Sequence, residues 1–541
     1  MREQVFWGWG EPGAGPALPE HAEAFLREAL GVPGGVVDAP VALAAVRLRP
    51  SALPAALRGG LEAVVGPGGV RDDRGVRVLR CRGKSYLDLL AQRRGDCEAA
   101  PDAVVRPAGH AQAQAVLRLC AEAGAAVVPF GGGTSVVGGL EAERSGFEAV
   151  VSLDLGAMDG VTAVDGRSLT AVLEPGLRLP EADRALRAHG LTLAHTPQSY
   201  EWATVGGCVA TRSAGQSSTG HGRIDRNVVA LRCATPAGEL ATLGAPASAA
   251  GPALRELVVG SEGVLGAITQ VALRVRPLPA ARRYEGWLVH SFAEGCEALR
   301  RLEHAGLAPD VARLSDETET RVGLALAGAG RNPLSARRLG LAATRALGYG
   351  GGCLLVLGWE GEEAAIAARR RPAARLLRSA RALPAGRGPG EVWAAGRFAG
   401  PHLRDELLDR GVLAETLETA ASWTGLESVR EAVAGALRGA LRDPLVGCHV
   451  SHLYPTGASL YFTVLAARDA GDPVAQWGRA KAAAGDAIAA AGATITHHHA
   501  VGRDHAPWLG AEVGPLGLEL LRAVKERCDP AGIMNPGALL A

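Results

Sequence analysis

A short apolar strand that runs directly into three consecutive glycines constrains this chain more than any other feature. Ala126–Pro129 predicts the strand, and the segment 130–135 (F-G-G-G-T-S) follows it. Glycine has no Cβ, so the backbone can approach a ligand closely, and successive bare N–H groups form a concavity that binds anions. The loop matches neither a Walker loop nor the G-x-G-x-x-G that opens a dinucleotide-binding helix. By itself it leaves a phosphate ligand and a plain turn equally open.

Two further stretches of small residues favour the ligand. The segment 204–215 (T-V-G-G-C-V-A-T-R-S-A-G) and the segment 259–269 (V-G-S-E-G-V-L-G-A-I-T) both present backbone that could line a long, flat molecule. The three segments occur in order, and the third runs into a predicted strand. A loop for a pyrophosphate followed by two small-residue walls predicts FAD held between two small α+β subdomains.

The three segments resemble the FAD domain of the vanillyl-alcohol-oxidase-type flavoproteins. Within that superfamily the chain resembles the alkyldihydroxyacetonephosphate synthase family, from the G-W-G at residues 8–10 to the N-P-G at residues 535–537. The resemblance implies an α+β protein: a two-subdomain FAD-binding domain of PCMH type and an α+β cap domain with a central antiparallel sheet. We expect an N-terminal extension over 1–96, the FAD domain over 97–280, the cap over 281–505, and a segment returning to the flavin over 506–541.

The resemblance also implies which residues hold FAD, without a covalent link. His195 matches a family histidine near the flavin, whereas Gln198 stands where better-known members have aspartate, which removes a charge there. Cys208 lies near the flavin on this interpretation, and we do not expect it to be a covalent anchor. The expected cofactor residues are Pro129, Phe130, Gly131, Gly132, Gly133, Thr134, Ser135, His195, Gln198, Thr204, Gly206, Gly207, Thr211, Arg212, Ser213, Ala214, Glu262, Gly263, Gly266, Ile268 and Asn535.

Three adjacent imidazoles, His497, His498 and His499, are the first candidate for chemistry. They cannot all face one way on a strand, so we expect a loop or a strand end. The residues alone allow a polar surface loop as readily as a site, and no second cluster has metal-ligand spacing, so we predict no metal. The family carries H-H-H-G-V-G here, with histidines that line the active site. This chain has Ala500 in place of the glycine.

Four further positions acquire roles only from the resemblance, because each residue by itself is equally typical of the core or the surface. Tyr461, in G-A-S-L-Y-F, matches a tyrosine that donates and accepts the catalytic proton. Arg404 and Thr416 match an arginine and a serine that bind the substrate phosphate. Arg313 matches an arginine that holds the site together.

Composition excludes some classes and leaves others open. The chain has 57 basic and 56 acidic residues among 541, a balance that argues against nucleic-acid binding. Nine scattered cysteines without C-x-x-C, and no stretch near 20 apolar residues, predict a cytoplasmic protein. A basic segment within a predicted helix over 362–383 is either an ordinary exposed helix or a peripheral membrane surface formed by Arg370, Arg375 and Arg378. A homodimer is left open.

The reaction implied by the resemblance exchanges the acyl chain of acyl-dihydroxyacetone phosphate for a fatty alcohol through a flavin N5 adduct, a step of ether-lipid synthesis. Its partners would be a phosphorylated lipid-like substrate and the alcohol. One alternative is an FAD-dependent D-2-hydroxyacid dehydrogenase of the D-lactate or 2-hydroxyglutarate type, although such enzymes carry E-H-G-[IL]-G and not three histidines. The other is a flavin-binding protein without catalysis.

Overall fold

The computed structural model describes residues 4–13, 15, 17–141, 143–326 and 348–540. Two sheets form the part of the molecule that contains the glycine loop. The first has the order β1-β2-β4-β3, with β2, β4 and β3 parallel. Its strands are β1 Val70–Arg71, β2 Ala103–Val105, β3 Ala126–Phe130 and β4 Val150–Asp154. The strands β2, β3 and β4 are almost wholly buried and mostly apolar, as parallel strands covered on both faces require, although β4 also buries Ser152 and Asp154.

The second sheet is antiparallel and has the order β5-β6-β10-β8-β9. Its strands are β5 Val161–Asp165, β6 Thr170–Leu173, β8 Val228–Thr235, β9 Gly238–Ala241 and β10 Ala267–Arg274; β7 Leu191–Thr192 pairs separately with β11 Arg276–Pro277. The small-residue segment 259–269 leads into β10 of this sheet. The sequence predicted two α+β subdomains here, and the fold confirms them.

A seven-stranded sheet, antiparallel throughout, forms the other half. Its order is β15-β12-β14-β13-β17-β18-β16, so the predicted cap with a central antiparallel sheet is confirmed. Its strands are β12 Ala281–Val289, β13 Val311–Ser315, β14 Cys353–Gly361, β15 Leu383–Gly386, β16 Val412–Ser422, β17 Leu445–Tyr454 and β18 Gly457–Ala467. One face packs on helices and buries Trp287, Trp359 and Trp477, and the other faces a cavity.

The helices cover the outer faces of these sheets. In the described part of the chain, those of eight or more residues are Glu20–Leu30, Ala55–Val65, Tyr86–Arg93, His110–Glu122, Leu179–Arg187, Phe292–His304, Glu317–Leu326, Glu363–Ser379, Gly388–Gly396, Gly400–Asp409, Leu426–Ala440, Pro473–Ala490 and Ala506–Cys528. Shorter helices are Arg74–Val78, Val205–Ala210, Ser218–His221, Ile224–Asn227 and Arg255–Val258. None of the described helices combines the length and apolar character that crossing a membrane requires.

One local prediction differs from the structure, and one segment shows more structure than the sequence analysis assigned to it. The helix predicted over 362–383 ends at Ser379, because Arg381 adopts φ +61° and the chain then turns into β15. The segment that begins at Thr204 is partly helical, since the Thr204 hydroxyl accepts a bond from the Gly207 N–H and starts the short helix Val205–Ala210. The domain boundaries stay a prediction.

Candidate active site

A cavity of about 1750 Å³ separates the two glycine-loop sheets from the seven-stranded sheet. Eighteen of the 21 expected cofactor residues line it. The lining members are Pro129, Phe130, Gly131, Gly132, Gly133, Thr134, Ser135, Gln198, Thr204, Gly206, Gly207, Thr211, Ser213, Ala214, Glu262, Gly263, Gly266 and Ile268. Arg313, Arg404, Thr416, Tyr461, His498 and His499 line the same cavity. The residues expected to hold a cofactor and a substrate therefore share one space.

The glycine loop fits an anion. A Cβ on Gly132 would stand 2.1 Å from the carbonyl oxygen of Trp202, and Gly133 adopts φ +68°, so neither position accepts a larger residue. Within the described part of the chain, the backbone N–H groups of Gly132, Gly133 and Thr134 donate no hydrogen bond. A strip of unengaged donors on a cavity wall is what a pyrophosphate requires.

Three expected cofactor residues lie behind the cavity wall and not on it. His195 is buried, its Nε2 lies 2.7 Å from the Ser213 hydroxyl, and burial lowers its pKa to about 4. Arg212 points away, with its Nε donating to Val259 at 2.9 Å. Asn535 donates from Nδ2 to the carbonyls of Glu262 and Gly139. Their contacts are with the wall, so their part in holding a cofactor remains a prediction and would be indirect.

Three paired residues form a row across three strands of the seven-stranded sheet. Glu418 on β16 lies opposite Tyr461 on β18, which lies opposite His449 on β17. Paired residues on neighbouring antiparallel strands project to the same side. Thr416 lies two residues before Glu418 and so shares this face.

The ring of Tyr461 is held between imidazoles. His449 stacks on one side, with ring centroids 4.8 Å apart, and His498 stacks at 5.9 Å. His499 meets the ring edge-on at 5.4 Å. Burial raises the pKa of Tyr461, while Thr416 and Arg404 act in the opposite direction. The phenol is therefore protonated near neutral pH.

The buried carboxylate of Glu418 fixes the backbone of the three adjacent histidines by hydrogen bonds. Its carboxylate accepts the backbone N–H groups of His497 at 2.6 Å, His498 at 3.0 Å and His499 at 2.8 Å, and the hydroxyl of Thr496 at 2.7 Å. Burial opposes its charge, but the nearby imidazoles of His498, His499 and His497 and the hydrogen bond from Thr496 hold the pKa of Glu418 well below its usual range. The predicted loop is thus ordered by a charged group that the sequence analysis did not select. An acidic residue inside an otherwise buried strand was the available signal.

A second carboxylate holds the other end of the same loop. Glu262, from the wall 259–269, accepts the N–H groups of Val501 at 2.8 Å and Gly502 at 2.7 Å. Ala500, between the two carboxylate-bound stretches, adopts φ +78°. The family glycine at this position therefore has a physical reason, because positive φ strains every residue with a Cβ.

The histidines are neutral near pH 7. Burial lowers the pKa of His498, lowers that of His497 to about 3 and lowers that of His499 well below its usual value. His497 does not line the cavity. Its Nε2 lies 2.5 Å from the Tyr454 hydroxyl and its Nδ1 lies 2.9 Å from Nδ1 of His498.

His452, which the sequence analysis did not select, completes a group of three imidazoles. Ligand atoms of His452, His497 and His498 lie within 4.8 Å of one another, close enough for a metal ion. Both nitrogens of His497 are already hydrogen bonded, however, which competes with coordination. The absence of a metal remains our prediction.

Arg404 and Arg313 occupy opposite sides of the Tyr461 row. Arg404 donates to the Lys84 carbonyl at 2.9 Å and pairs with Glu415 at 2.8 Å. Arg313 pairs with Glu319 and donates to Nε2 of His449 at 3.0 Å. Because a guanidinium only donates, His449 carries its proton on Nδ1 and donates it to Glu319. Arg313 thereby fixes the imidazole that stacks on Tyr461.

Comparison with known proteins agrees with this geometry. Residues 101–244 match the family model described as FAD binding domain, and residues 278–539 match the C-terminal domain of FAD linked oxidases. The chain is 32% identical over 488 residues to alkyldihydroxyacetonephosphate synthase of Dictyostelium discoideum, covering 89% of this chain and 80% of that protein. The chain belongs to the alkyldihydroxyacetonephosphate synthase family.

Two further comparisons extend this result. The synthase of Trypanosoma brucei brucei is 32% identical over 495 residues, covering 89% of this chain and 80% of that protein. A solved structure of an alkyldihydroxyacetonephosphate synthase superposes with a TM-score of 0.82 at 26% identity, covering 99% of both chains. As a family member the chain is an FAD-dependent enzyme. Its bare loop N–H groups and the glycines that admit no Cβ fit that cofactor.

Proposed function

We propose that this protein exchanges the acyl chain of acyl-dihydroxyacetone phosphate for a long-chain alcohol, as an alkyldihydroxyacetonephosphate synthase. The observation that carries the proposal is that Tyr461, its flanking imidazoles and Arg404 line the same cavity as the FAD loop. The volume of about 1750 Å³ exceeds the roughly 300–1,000 Å³ of ordinary ligand pockets. The apolar side chains of Val392, Trp393 and Leu465 also line it, as an alkyl chain would need.

The residues of the glycine loop and the two small-residue walls would hold FAD without a covalent bond. Cys208 lines the cavity, but burial raises the pKa of its thiol to about 11, so it is not the thiolate that attachment would need. When bound, FAD supplies a nucleophilic ring nitrogen and an electron-accepting ring at the carbon whose substituent is exchanged.

Tyr461 would manage the proton on that carbon. Its raised pKa keeps the phenol protonated and able to donate, and the neutral imidazole of His498 beside it can accept a proton in return. His499, at the ring edge, would help orient the phenol. Glu418 keeps both imidazoles in place through their backbone N–H groups.

Arg404 and Thr416 would bind the substrate phosphate. Arg404 uses two of its five N–H donors on Lys84 and Glu415, which leaves three for phosphate oxygens. The planar guanidinium matches the geometry of a phosphate better than a lysine would. Arg313 would act through His449 and not by touching substrate.

A transfer experiment tests the proposal. The flavin-loaded enzyme should move labelled hexadecanol onto palmitoyl-dihydroxyacetone phosphate and release palmitate. Bleaching of the flavin by D-lactate or 2-hydroxyglutarate, without transfer, would instead establish the dehydrogenase. If a flavin-loaded preparation shows neither transfer nor bleaching, a flavin-binding protein without catalysis is favoured.

The structure weakens the membrane surface suggested by the sequence. Arg370 is bonded to Glu285 at 2.5 Å, and the guanidinium of Arg378 lies 5.8 Å from the Trp287 ring centre. Both cations are therefore engaged within the protein, and the ordinary exposed helix is the better interpretation. Liposome flotation of the parent and of a triple Arg370→Glu, Arg375→Glu, Arg378→Glu variant would decide. Light scattering would decide the homodimer, which stays open.

A further inference from the structure

A chain of three hydrogen-bonded rings leads away from the cavity. Nδ1 of His498 lies 2.9 Å from Nδ1 of His497, and Nε2 of His497 lies 2.5 Å from the Tyr454 hydroxyl. Nδ1 of His498 is also 3.5 Å from the carboxylate of Glu418, which already accepts four hydrogen bonds. His497 is 5% exposed and does not line the cavity. The chain therefore joins a residue of the active site to one that lies outside it.

The inner end of the chain is open to the cavity. His498 lines the cavity, and its Nε2 makes no hydrogen bond within the described residues. This nitrogen is not one of the fully buried polar atoms without a partner, which means that the cavity reaches it. A reacting group in the cavity can therefore exchange a proton with His498 at Nε2.

The outer end of the chain lies outside the cavity. Tyr454 is the last residue of β17, is half-buried and does not line the cavity, so its exposed surface faces the exterior. Arg223 donates to the His497 carbonyl at 2.6 Å and pairs with Asp225 at 2.7 Å beside this phenol. Burial raises the pKa of Tyr454 to about 12, so its hydroxyl keeps its proton and can both donate and accept.

His497 can carry its proton on either ring nitrogen. Its two partners, an imidazole nitrogen and a phenol oxygen, can each donate or accept. The imidazole of His449 differs, because Arg313 only donates to it and the ionised Glu319 only accepts from it, which leaves one tautomer. Moving one proton along each bond of the chain exchanges its two arrangements, and no ring becomes charged.

We propose that Tyr454 and His497 form a proton relay that connects Nε2 of His498 with water outside the cavity. The inference rests on the proposed function, whose two steps take up and release a proton. When the acyl chain leaves, its carboxylate keeps the electron pair of the broken C–O bond and takes the Nε2 proton of His498. His497 then gives its Nδ1 proton to His498, Tyr454 gives its proton to Nε2 of His497, and water supplies Tyr454.

The second step reverses the chain. As the alcohol oxygen bonds to the substrate carbon, its proton passes to Nε2 of His498, each proton of the chain moves back, and Tyr454 releases one to water. No group is oxidised or reduced in either step. Burial lowers the pKa of both His497 and His498, so a relay that never forms an imidazolium suits this site.

The substitution Tyr454→Phe keeps the ring and removes the outer link. Tyr200→Phe is the matched control, because Tyr200 is also half-buried, does not line the cavity and loses a bond from its hydroxyl to Asp183 at 2.9 Å. Transfer of labelled hexadecanol to palmitoyl-dihydroxyacetone phosphate should be measured on the flavin-loaded parent and both variants. The imidazole concentration of the buffer is varied at constant pH and ionic strength.

For Tyr454→Phe we expect kcat to fall about 10- to 100-fold at unchanged KM, less than for a lost general acid–base group, because His498 remains. Imidazole should restore turnover, since it exchanges protons with His497 in place of the phenol, and should not affect the parent or Tyr200→Phe. Parental turnover in Tyr454→Phe would overturn the relay. So would a loss that imidazole does not relieve, because such a loss would be structural.

A spectrum of protein labelled with ¹⁵N in its imidazoles tests the relay without turnover. The signals that disappear in His498→Gln identify His498. In the parent, both of its nitrogens should resonate between the positions of a protonated and a bare nitrogen, and Tyr454→Phe should move them to those of one tautomer. A single tautomer in the parent, unchanged in Tyr454→Phe, would overturn the relay. Absence of transfer by the parent would instead count against the proposed function.

Discussion

The hydroxyl of Tyr461, on the seven-stranded sheet, donates to the side-chain oxygen of Gln198 at 3.4 Å, in the loop between β7 and the helix Val205–Ala210. The partner is a neutral amide where the better-known family members have aspartate. Burial raises the pKa of Tyr461, Thr416 and Arg404 lower it, and Glu415 and Glu418 raise it, while position 198 adds no carboxylate.

Replacing Gln198 by glutamate should restore such a charge at nearly constant shape. A carboxylate beside a phenol disfavours its ionisation, so we expect the alkaline limb of the kcat/KM profile to move up by about 1 pH unit or more. The pH profile of transfer activity checks this. Gln216→Glu, which also adds a charge on the cavity wall but away from Tyr461, is the control. Equal profiles in the two variants would show that Gln198 does not act on Tyr461.

Removing the phenol oxygen should abolish most turnover. For Tyr461→Phe we expect kcat to fall about 10²–10⁴-fold, the range of a general acid–base group, with flavin content unchanged. Tyr284→Phe, which loses a bond to Glu360 at 3.1 Å outside the Tyr461 row, should retain activity. A Tyr461→Phe enzyme with near-parental turnover would remove this residue from the chemistry.

Replacing Ala500 by glycine should stabilise the fold. A left-handed backbone conformation destabilises an L-residue by roughly 1–2 kcal/mol, and glycine relieves that strain. Glycine also loses more conformational entropy on folding, which offsets about 0.5–1 kcal/mol of the gain, so the net stabilisation should be about 0.5–1 kcal/mol. Urea unfolding measures it. Ala482→Gly, on an exposed position of the helix Pro473–Ala490, should lose a similar amount. Destabilisation by Ala500→Gly would contradict the φ of +78°.

Buried neutral histidines should make the fold sensitive to acid. Burial lowers the pKa of His505 to about 3, against about 6.5 in an unfolded chain. Between these values only the unfolded state binds the proton, so this group weakens the fold as pH falls below 6.5, by about 1.4 kcal/mol per pH unit. His505→Gln should remove one proton from the slope of unfolding free energy against pH. The exposed His189→Gln should not, and an unchanged slope in His505→Gln would contradict burial as the cause.

Metal removal should leave activity intact. His452, His497 and His498 come close enough for an ion, but His497 bonds to Tyr454 and His498 through its two nitrogens. We expect the purified enzyme to hold far less than one equivalent of any transition metal, and dialysis against EDTA to leave turnover unchanged. Loss of activity restored by zinc would establish a metal site instead.

The sequence predicted the cofactor side of the site better than the catalytic side. Glycines, small residues and strand patterns specify a backbone path, and the path from Gly131 to Ser135 lies on the cavity as expected. Side-chain pairing across β16, β17 and β18 depends on strand order and register, which local sequence does not encode. Glu418 and His449 were therefore missed, although Thr416 and Tyr461 on the same face were selected by resemblance.

The sequence also could not predict contacts that depend on the direction in which a side chain points, because residue type does not specify that direction. Arg212 stands in a ligand-lining segment, but its positive φ and bonds to Val259 turn it away from the cavity. The side-chain amide of Asn535 lies behind the cavity wall and donates to the carbonyls of Gly139 and Glu262. Neither orientation could be read from the type of residue.

The two carboxylates that hold the histidine loop have a consequence for motion. Glu418 belongs to the seven-stranded sheet and Glu262 to the cofactor wall, yet both are bonded to the backbone of residues 497–502. A displacement of one half of the molecule relative to the other would strain the hydrogen bonds at both ends of this peptide. Ala500 lies between the two bonded ends. The positions of His498 and His499 around Tyr461 therefore depend on the placement of both halves, because each half is bonded to the backbone of the peptide that carries them.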